Sequence, residues 1–204
     1  MSKISIGIVD SGIGNISSLH STLTITGHKV KVTDDPNVLD KVDVILLPGV
    51  GAFAAVMNLY DAKGISDYLR VASLKNRPII GICLGMQLLT ASSEESTQCK
   101  GLGVIPGNIV RIQNNRWHIG WNVLKSSGSS KFLRHDMGAS VYFNHGFQYK
   151  GDKKYHVSVA EYVNDIPAII KHKNLVGFQF HPEKSQDAGR YILQNSIEKL
   201  VNAT

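Results

Sequence analysis

The sequence GICLG, residues 81–85, places a cysteine in a predicted sharp turn between a strand and a helix. A cysteine with a glycine two positions away on each side is the pattern of a nucleophile elbow, in which hydrolases often carry serine. The start of a helix stabilises a thiolate, and the backbone N–H of Leu84 points toward an oxyanion formed at the attacked carbon. Gln87 lies one helical turn after Cys83 and shares its face. The alternative is a small thiol that is simply buried at a strand–helix junction.

A histidine and a carboxylate two residues apart, His181 and Glu183, follow an apolar strand in FQFHPEKS. A cysteine nucleophile needs a base within hydrogen-bond reach and a carboxylate that fixes the tautomer of that base. A spacing of two in extended chain places both side chains on one face. Alone, the pair is more typical of a surface histidine and glutamate at a strand end. Together with Cys83, it predicts a catalytic Cys-His-Glu set.

The loop in LLPGVGAF, residues 46–53, is a candidate oxyanion site. Gly49, Val50 and Gly51 follow a predicted strand and precede a predicted helix, which leaves their backbone amides exposed. The amide of Val50 can therefore face a developing oxyanion. An ordinary loop between a strand and a helix would explain the same residues.

A third glycine-containing turn, DSGIGNIS at residues 10–17, resembles part of a dinucleotide-binding fingerprint because Gly12 and Gly14 follow the first strand. Ser17 stands at the third glycine position, and Asn15 as a helix N-cap explains the turn without a nucleotide. The sequence also shows no metal-ligand constellation and no lysine in a glycine-rich phosphate loop. We therefore predict no cofactor and no metal.

The hydrophobic pattern predicts alternating strands and helices in the first half of the chain and mostly strands in the second. Strands are predicted at residues 4–9, 28–33, 42–47, 78–83, 107–112, 121–124, 140–145, 155–162, 168–172 and 176–180. Helices are predicted at residues 15–26, 52–60, 65–74, 84–92 and 187–201. Strands separated by helices favour parallel pairing in a doubly wound α/β sheet. No linker divides the chain, so one domain over residues 1–204 is predicted.

The composition limits the classes of partner. The 204 residues carry 22 Lys+Arg against 16 Asp+Glu, a net charge of +6. No basic run exceeds Lys153-Lys154, and the two cysteines, Cys83 and Cys99, have no zinc-finger spacing, so no nucleic-acid partner is expected. Cys99 lies in a polar run and is interpreted as incidental. In the absence of an apolar leader or spanning segment, we expect a cytoplasmic protein without a membrane partner.

The positive charge is local, because residues 111–154 contain eight basic and two acidic side chains. This basic segment brackets the sequence Gly120-Trp121-Asn122 and His145. It predicts docking to an acidic partner surface, since charge complementarity steers association. A solvated basic face is the alternative.

Several motifs together resemble one family. In chain order they are DSGIGN, PGVGAF, GICLGMQLL, GLGVIPG, HIGWN, YFNHGF and GFQFHPEKS. Over nearly the full length they are similar to the class I (triad) glutamine amidotransferases, and within these to the glutaminase subunits of imidazole glycerol phosphate synthase. The resemblance implies a flavodoxin-like α/β fold with a mixed, largely parallel central sheet flanked by helices, and short antiparallel strands added in the second half.

The resemblance also implies an activity and a partner. The activity is hydrolysis of glutamine to glutamate, with the ammonia passed to a (β/α)8-barrel cyclase subunit in a heterodimer of histidine biosynthesis. Cys83 would be the nucleophile, His181 the base and Glu183 its orienting carboxylate, with an oxyanion hole formed by the amides of Val50 and Leu84. The further residues implied to contact glutamine are Gly49, Gly51, Gln87, His145, Gly146 and Phe147.

The chain departs from the usual family pattern at three places outside the triad. Ser11 stands where the family usually has tyrosine, and Gly146-Phe147 stands where it has Ser-Tyr. The sequence NNRWHIGWN replaces the usual Lys-Val-Pro-His approach to the Gly-Trp motif. These departures leave open a related glutaminase that supplies ammonia to another acceptor, such as a sugar converted to an amidine. A catalytically silent docking subunit is a separate alternative of another functional class.

Overall fold

Strands and helices alternate in the first half of the chain, and strands dominate the second half. The computed structural model describes residues 3–12, 15–127, 132–133 and 137–203. The strands are β1 (Ser5–Val9), β2 (Lys29–Thr33), β3 (Val44–Leu47), β4 (Ile79–Ile82), β5 (Ser92–Ser93), β6 (Ser96–Lys100), β7 (Asn108–Arg111), β8 (His118–Ser126), β9 (Ser140–His145), β10 (Phe147–Lys150), β11 (His156–Glu161), β12 (Asp165–His172) and β13 (Leu175–Phe178). The helices are α1 (Ile16–Ile25), α2 (Pro36–Leu39), α3 (Phe53–Ala62), α4 (Ile65–Leu74), α5 (Leu84–Leu88) and α6 (Gln186–Val201). Within these ranges no helix has both the length and the apolar character needed to cross a membrane.

Nine strands form one mixed sheet in the order β2-β1-β3-β4-β13-β12-β11-β8-β9. The five strands from β2 to β13 are paired in parallel. From β13 to β9 every pairing is antiparallel. The α/β fold with a mixed sheet is therefore confirmed, and the antiparallel strands extend one edge of the parallel half.

The parallel strands are buried because helices cover both faces of the sheet. On β3, Val44 and Leu46 pack into the core beneath α1 and α6, whereas Ile45 and Leu47 pack into the core beneath α3 and α4. This alternation follows from the two-residue period of a strand. The carboxyl ends of β3, β4 and β13 lie side by side, so loops that follow these three strands meet at one edge.

A smaller sheet, in the order β10-β7-β5-β6, lies beside this edge. Its strands β5, β6 and β10 were not predicted from the sequence. His145 ends β9 in the large sheet and Phe147 begins β10 in the small one, so the chain passes between sheets at Gly146. The junction of the two sheets therefore lies at a segment expected to contact substrate.

Helix α5 ends at Leu88, so the predicted extension to Ser92 is wrong. The carbonyl oxygen of Leu88 accepts a hydrogen bond from the N–H of Leu102 at 2.8 Å. The carbonyl oxygen of Leu89 accepts from the N–H of Ile105 at 2.9 Å. Because a distant segment binds these carbonyls, they do not accept the i+4 amides that would continue the helix.

Asn15 precedes α1 as its N-cap, as expected, but its side chain makes no capping hydrogen bond. Ile13 and Gly14 of the same turn lie outside the described residues. Gly12 has φ +66°, a left-handed conformation that favours glycine. The turn conformation therefore accounts for Gly12 without a nucleotide.

Three glycines allow close approach of the β3 loop, β4 and α5. A Cβ on Gly49 would lie 2.5 Å from the backbone nitrogen of Gly85. A Cβ on Gly81 would lie 2.5 Å from the carbonyl oxygen of Gly85. A Cβ on Gly85 would overlap the carbonyl oxygen of Leu47. None of the three has a positive φ, so space rather than backbone conformation requires glycine here.

We predict that Gly85→Ala destabilises the protein by about 3 kcal/mol or more, because its Cβ would displace the backbone of β3. Urea unfolding measures the loss. Gly103→Ala is the matched control, since Gly103 has φ +68° and open space around its Cβ position. Its cost should come from backbone conformation alone, about 1 kcal/mol. Equal losses in the two variants would contradict the packing explanation.

Candidate active site

Cys83 lies between β4 and α5 in a strained backbone conformation, with φ 51° and ψ −108°. Its N–H donates to the carbonyl oxygen of Phe178 on β13 at 2.7 Å, so the neighbouring strand holds the turn. Cys83 is 7% exposed, and this small exposed part faces a cavity. The turn has the geometry of a nucleophile elbow.

His181 follows β13, next to β4, and therefore reaches the same edge of the sheet as Cys83. Its Nδ1 lies 2.9 Å from Oε1 of Glu183, and both side chains are buried. The segment Pro182–Lys184 forms a 3₁₀ turn, so the expectation of extended chain is wrong here. The turn, rather than strand alternation, brings the carboxylate to the imidazole.

The pKa of His181 is raised to about 10. Burial alone would lower it, but hydrogen bonds to Cys83 and Glu183, together with electrostatic attraction to both, outweigh burial. Oε2 of Glu183 is buried and has no hydrogen-bond partner among the described residues. The carboxylate thus interacts with the site chiefly through His181. The arrangement can hold a proton on the imidazole next to a sulfur nucleophile.

A cavity of about 260 Å³ opens in front of Cys83. It is lined by Val50, Gly51, Cys83, Leu84, Gln87, Glu95, Trp117, Asn144, His145, Gly146, Phe147, His181 and Lys184. The structure therefore brings together the proposed nucleophile, base and oxyanion donors. All but one of the residues implied to contact glutamine also line it.

The exception is Gly49, which does not line the cavity. It is buried against Leu84 and Gly85, where its missing side chain permits the close approach described above. We therefore interpret Gly49 as a spacing residue rather than a substrate contact. Val50 and Gly51 carry the loop into the cavity, and Gly51 has φ +101°.

Glu95 is a cavity residue that sequence reasoning missed. Its Oε2 accepts a hydrogen bond from the N–H of Phe53 at 3.0 Å, at the start of α3. This contact fixes a carboxylate at the cavity, where Lys184 supplies the opposite charge. In the sequence Glu95 lies in a polar run, and no pattern distinguishes it from a solvated carboxylate.

A second missed residue, Gln179, joins the network around the thiol. Its Nε2 lies 3.9 Å from Sγ of Cys83, and its Oε1 accepts from Nε2 of Gln87 at 3.3 Å. Gln179 is fully buried. Its position two residues before His181 is a signal that could have found it, because alternate residues at a strand end share a face.

Two further histidines form a neutral pair at the cavity, in which His145 is part of the lining and His118 is hydrogen-bonded to His145. Nδ1 of His145 donates to the carbonyl oxygen of Phe147 at 2.7 Å, so its Nε2 accepts from Nδ1–H of His118 at 3.1 Å. Burial lowers the pKa of His145 to about 3 and that of His118 to about 4. Neither carries a charge near neutral pH, which leaves His181 as the proton-carrying histidine of the cavity.

In the described part of the chain, no three His, Cys, Asp or Glu side chains are grouped so that they could hold a metal ion.

Comparison with known proteins points to one family. The family model "Glutamine amidotransferase class-I" matches residues 7–200. Similar relatives described as "Imidazole glycerol phosphate synthase subunit HisH" occur in Carboxydothermus hydrogenoformans (41% identical, covering 95% of this chain and 98% of the relative), Staphylococcus epidermidis (42%, 95% and 96%) and Archaeoglobus fulgidus (39%, 94% and 97%).

Solved structures show the same fold at lower sequence identity. A structure described as a glutamine amidotransferase has a TM-score of 0.75 at 18% identity, over 94% of this chain and 98% of its own. A structure of PurLQS from Thermotoga maritima has a TM-score of 0.75 at 20% identity, over 97% and 99%. At these identities the likeness shows the fold alone.

We predict that Glu183→Gln destabilises the protein more near pH 6 than near pH 10. A histidine with a raised pKa stabilises the folded state fully below its unfolded pKa of about 6.5 and loses that contribution as the pH rises through about 10. The difference in unfolding free energy between the parent and Glu183→Gln should therefore be largest near pH 6 and shrink toward pH 10, as measured by urea unfolding.

Asp67→Asn provides the control, because Asp67 pairs with Arg70 at 2.9 Å on the exposed face of α4 and involves no histidine. Its effect should be nearly constant over this pH range. A loss in Glu183→Gln that is equally constant would contradict the role assigned to the carboxylate.

Proposed function

The chain belongs to the class-I glutamine amidotransferases, and from this membership we propose that it is the glutaminase subunit of an imidazole glycerol phosphate synthase. It would hydrolyse glutamine and pass the ammonia to a cyclase subunit for histidine biosynthesis. The observation that carries the proposal is the buried Cys83–His181–Glu183 set at one end of a small cavity. Relatives at 41% and 42% identity over nearly their full length support the assignment to this synthase. The proposal includes a single domain and the cytoplasmic location expected from the sequence.

In the first half of the reaction, the proton of the Cys83 thiol passes to His181, and the resulting thiolate sulfur then attacks the carboxamide carbon of glutamine. The negative oxygen of the tetrahedral intermediate is stabilised by the backbone N–H groups of Val50 and Leu84. One such donor is typically worth about 10²–10³ in rate. The C–N bond then breaks, the nitrogen takes the proton from His181, and ammonia leaves a thioester on Cys83.

In the second half, a water molecule attacks the thioester while His181 accepts one of its protons. The same two amides stabilise the second oxyanion. When the C–S bond breaks, the sulfur regains a proton from His181 and glutamate is released. Glu183 accepts a hydrogen bond from Nδ1–H of His181, so that Nε2 exchanges the proton.

The charges of the cavity fit a free α-amino acid. Glu95 would bind the α-ammonium group, because its carboxylate is fixed at the cavity by the N–H of Phe53. Gln87 and the His145-Gly146-Phe147 segment would contact the rest of the substrate. The neutral histidine pair holds the carbonyl of Phe147 in place through a 2.7 Å hydrogen bond, so the wall presents polar groups without adding a charge.

An exposed apolar strip supports the proposed cyclase partner, a (β/α)8 barrel in a heterodimer. Ile119, Trp121 and Val123 occupy alternate positions of β8, share one face and are 63%, 51% and 43% exposed. We name these three residues the β8 strip. Contiguous exposed apolar groups mark interaction surfaces. The strip begins two residues after Trp117, which lines the cavity, so a partner bound there would lie next to the site of ammonia release.

We propose that the basic segment contributes less to this surface than the β8 strip does. Arg111 lies over the ring of Phe147 at 4.5 Å, and Lys154 is paired with Asp152 at 3.0 Å. Lys131 lies outside the described residues. Since some of these basic side chains already have partners within the chain, we propose the β8 strip as the main contact with the cyclase.

We predict that Cys83→Ala lowers glutamate release by at least about a thousandfold, because no other group replaces the nucleophile. The variant should also lose labelling by a glutamine-analogue electrophile. Cys99→Ala, which removes the other free cysteine, should keep both properties. Unchanged glutamate release in Cys83→Ala would favour the view that the chain is a silent docking subunit.

We further predict that Trp121→Ala weakens binding to the cyclase barrel of the same organism about tenfold or more, since a central aromatic side chain often dominates an interface. Isothermal titration calorimetry measures the change. Leu74→Ala, on the exposed face of α4, should have no effect. Stimulation of glutamate release by the cyclase's nucleotide substrate would support histidine synthesis. Failure of the two chains to associate would favour the related glutaminase with another acceptor.

A further inference from the structure

Trp117 occupies an unusual position at the cavity. It lies just before β8, is 54% exposed and lines the cavity. None of the roles assigned so far uses this side chain. An aromatic group of this size at a small cavity affects which molecules bind there.

Two hydrogen bonds hold Trp117 in place despite its exposure. The indole Nε1–H donates to Oδ1 of Asn144 at 2.7 Å. The hydroxyl of Tyr162 donates to the carbonyl oxygen of Trp117 at 3.0 Å. The carbonyl oxygen of Asn144 in turn lies 3.9 Å from Sγ of Cys83, so the residue that orients the indole also borders the nucleophile.

The indole fits because Gly146 has no side chain. A Cβ at this position would lie 2.8 Å from Cε3 and 2.9 Å from Cζ3 of Trp117. Gly146 does not have a positive φ, so its backbone conformation does not demand glycine. The space that the glycine leaves is therefore the space that the tryptophan fills, although the two residues are 29 positions apart in the sequence.

We propose that Trp117 is a specificity-determining wall of the substrate cavity, seated in the space that Gly146 leaves open. In this role, which rests on the proposed glutaminase function, the indole packs against the methylene groups of bound glutamine. Trp117 contacts substrate but no reacting atom, so its contribution belongs to binding. The backbone of Gly146 lines the cavity, whereas the absence of its side chain acts through the indole, and in that respect Gly146 is a positioning residue.

The test uses glutamine protection of Cys83 against alkylation by iodoacetamide, together with KM and kcat for glutamate release in the complex with the cyclase. In Trp117→Ala the half-protecting glutamine concentration and KM should rise about tenfold, the expected loss for a few buried methylene contacts. The value of kcat should change less than about threefold. Trp117→Phe should recover most of the affinity, which a folding defect would not allow.

The coupling between the two residues gives a second readout. Gly146→Ala alone should also weaken protection about tenfold, because its Cβ displaces the indole. Trp117→Ala combined with Gly146→Ala should be no weaker than Trp117→Ala alone, since no indole remains to be displaced. Tyr191→Ala, an aromatic residue of α6 that is 58% exposed, is the matched control and should have no effect.

The role proposed for Trp117 would be wrong if glutamine protected Cys83 of Trp117→Ala as well as it protects the parent, or if the losses of protection in the two single variants multiplied in the double variant. Either result would leave the proposed function intact. Absence of protection by glutamine in the parent protein, together with absence of glutamate release in the complex, would instead overturn the proposed function, and the inference with it.

Discussion

The close approach of the β3 loop, β4 and α5 is the constraint on which the site depends. Gly49, Gly81 and Gly85 have no side chains to separate these segments, so the chain turns abruptly and Cys83 adopts φ 51°. Hydrogen bonding of β4 to strands on both sides holds that strain. The same turn directs the thiol to the carboxyl edge of the sheet, where β13 delivers His181. The packing of these three glycines therefore also determines the backbone conformation of Cys83.

Local partners determine which histidine at this edge carries charge. His181, His145 and His118 are all buried, and burial opposes the imidazolium form in each. Only His181 has a carboxylate and a thiol beside it, and these reverse the effect of burial. The other two donate and accept hydrogen bonds as neutral rings in fixed tautomers. The neighbours of each histidine therefore separate the proposed proton transfer by His181 from the hydrogen bonding of the cavity lining by His145 and His118.

The sequence predicts the parts of the structure that rest on local pattern. Helix α4 occupies the predicted residues, Ile65–Leu74, because helical periodicity and a burial stripe coincide there. The end of α5 could not be predicted, since hydrogen bonds from the chain after residue 100 terminate it. Likewise, Cys83 and the His181–Glu183 pair are recognisable from glycine and histidine spacing. Glu95 and Trp117 reach the cavity only through tertiary contacts, which leave no mark in adjacent sequence.

The two halves of the large sheet contribute different properties to the site. The parallel half provides the proposed nucleophile and base, because Cys83 and His181 follow adjacent parallel strands. The antiparallel half and the small sheet provide the opposite wall, including Trp117, Gly146 and Phe147. The packing of the indole against Gly146 lies in this wall, away from the strands that precede Cys83 and His181. Two of the three departures from the usual family sequence, Gly146-Phe147 and the segment that contains Trp117, lie in this wall. Because Cys83, His181 and Glu183 follow strands of the parallel half, substitutions in the wall leave their geometry unchanged.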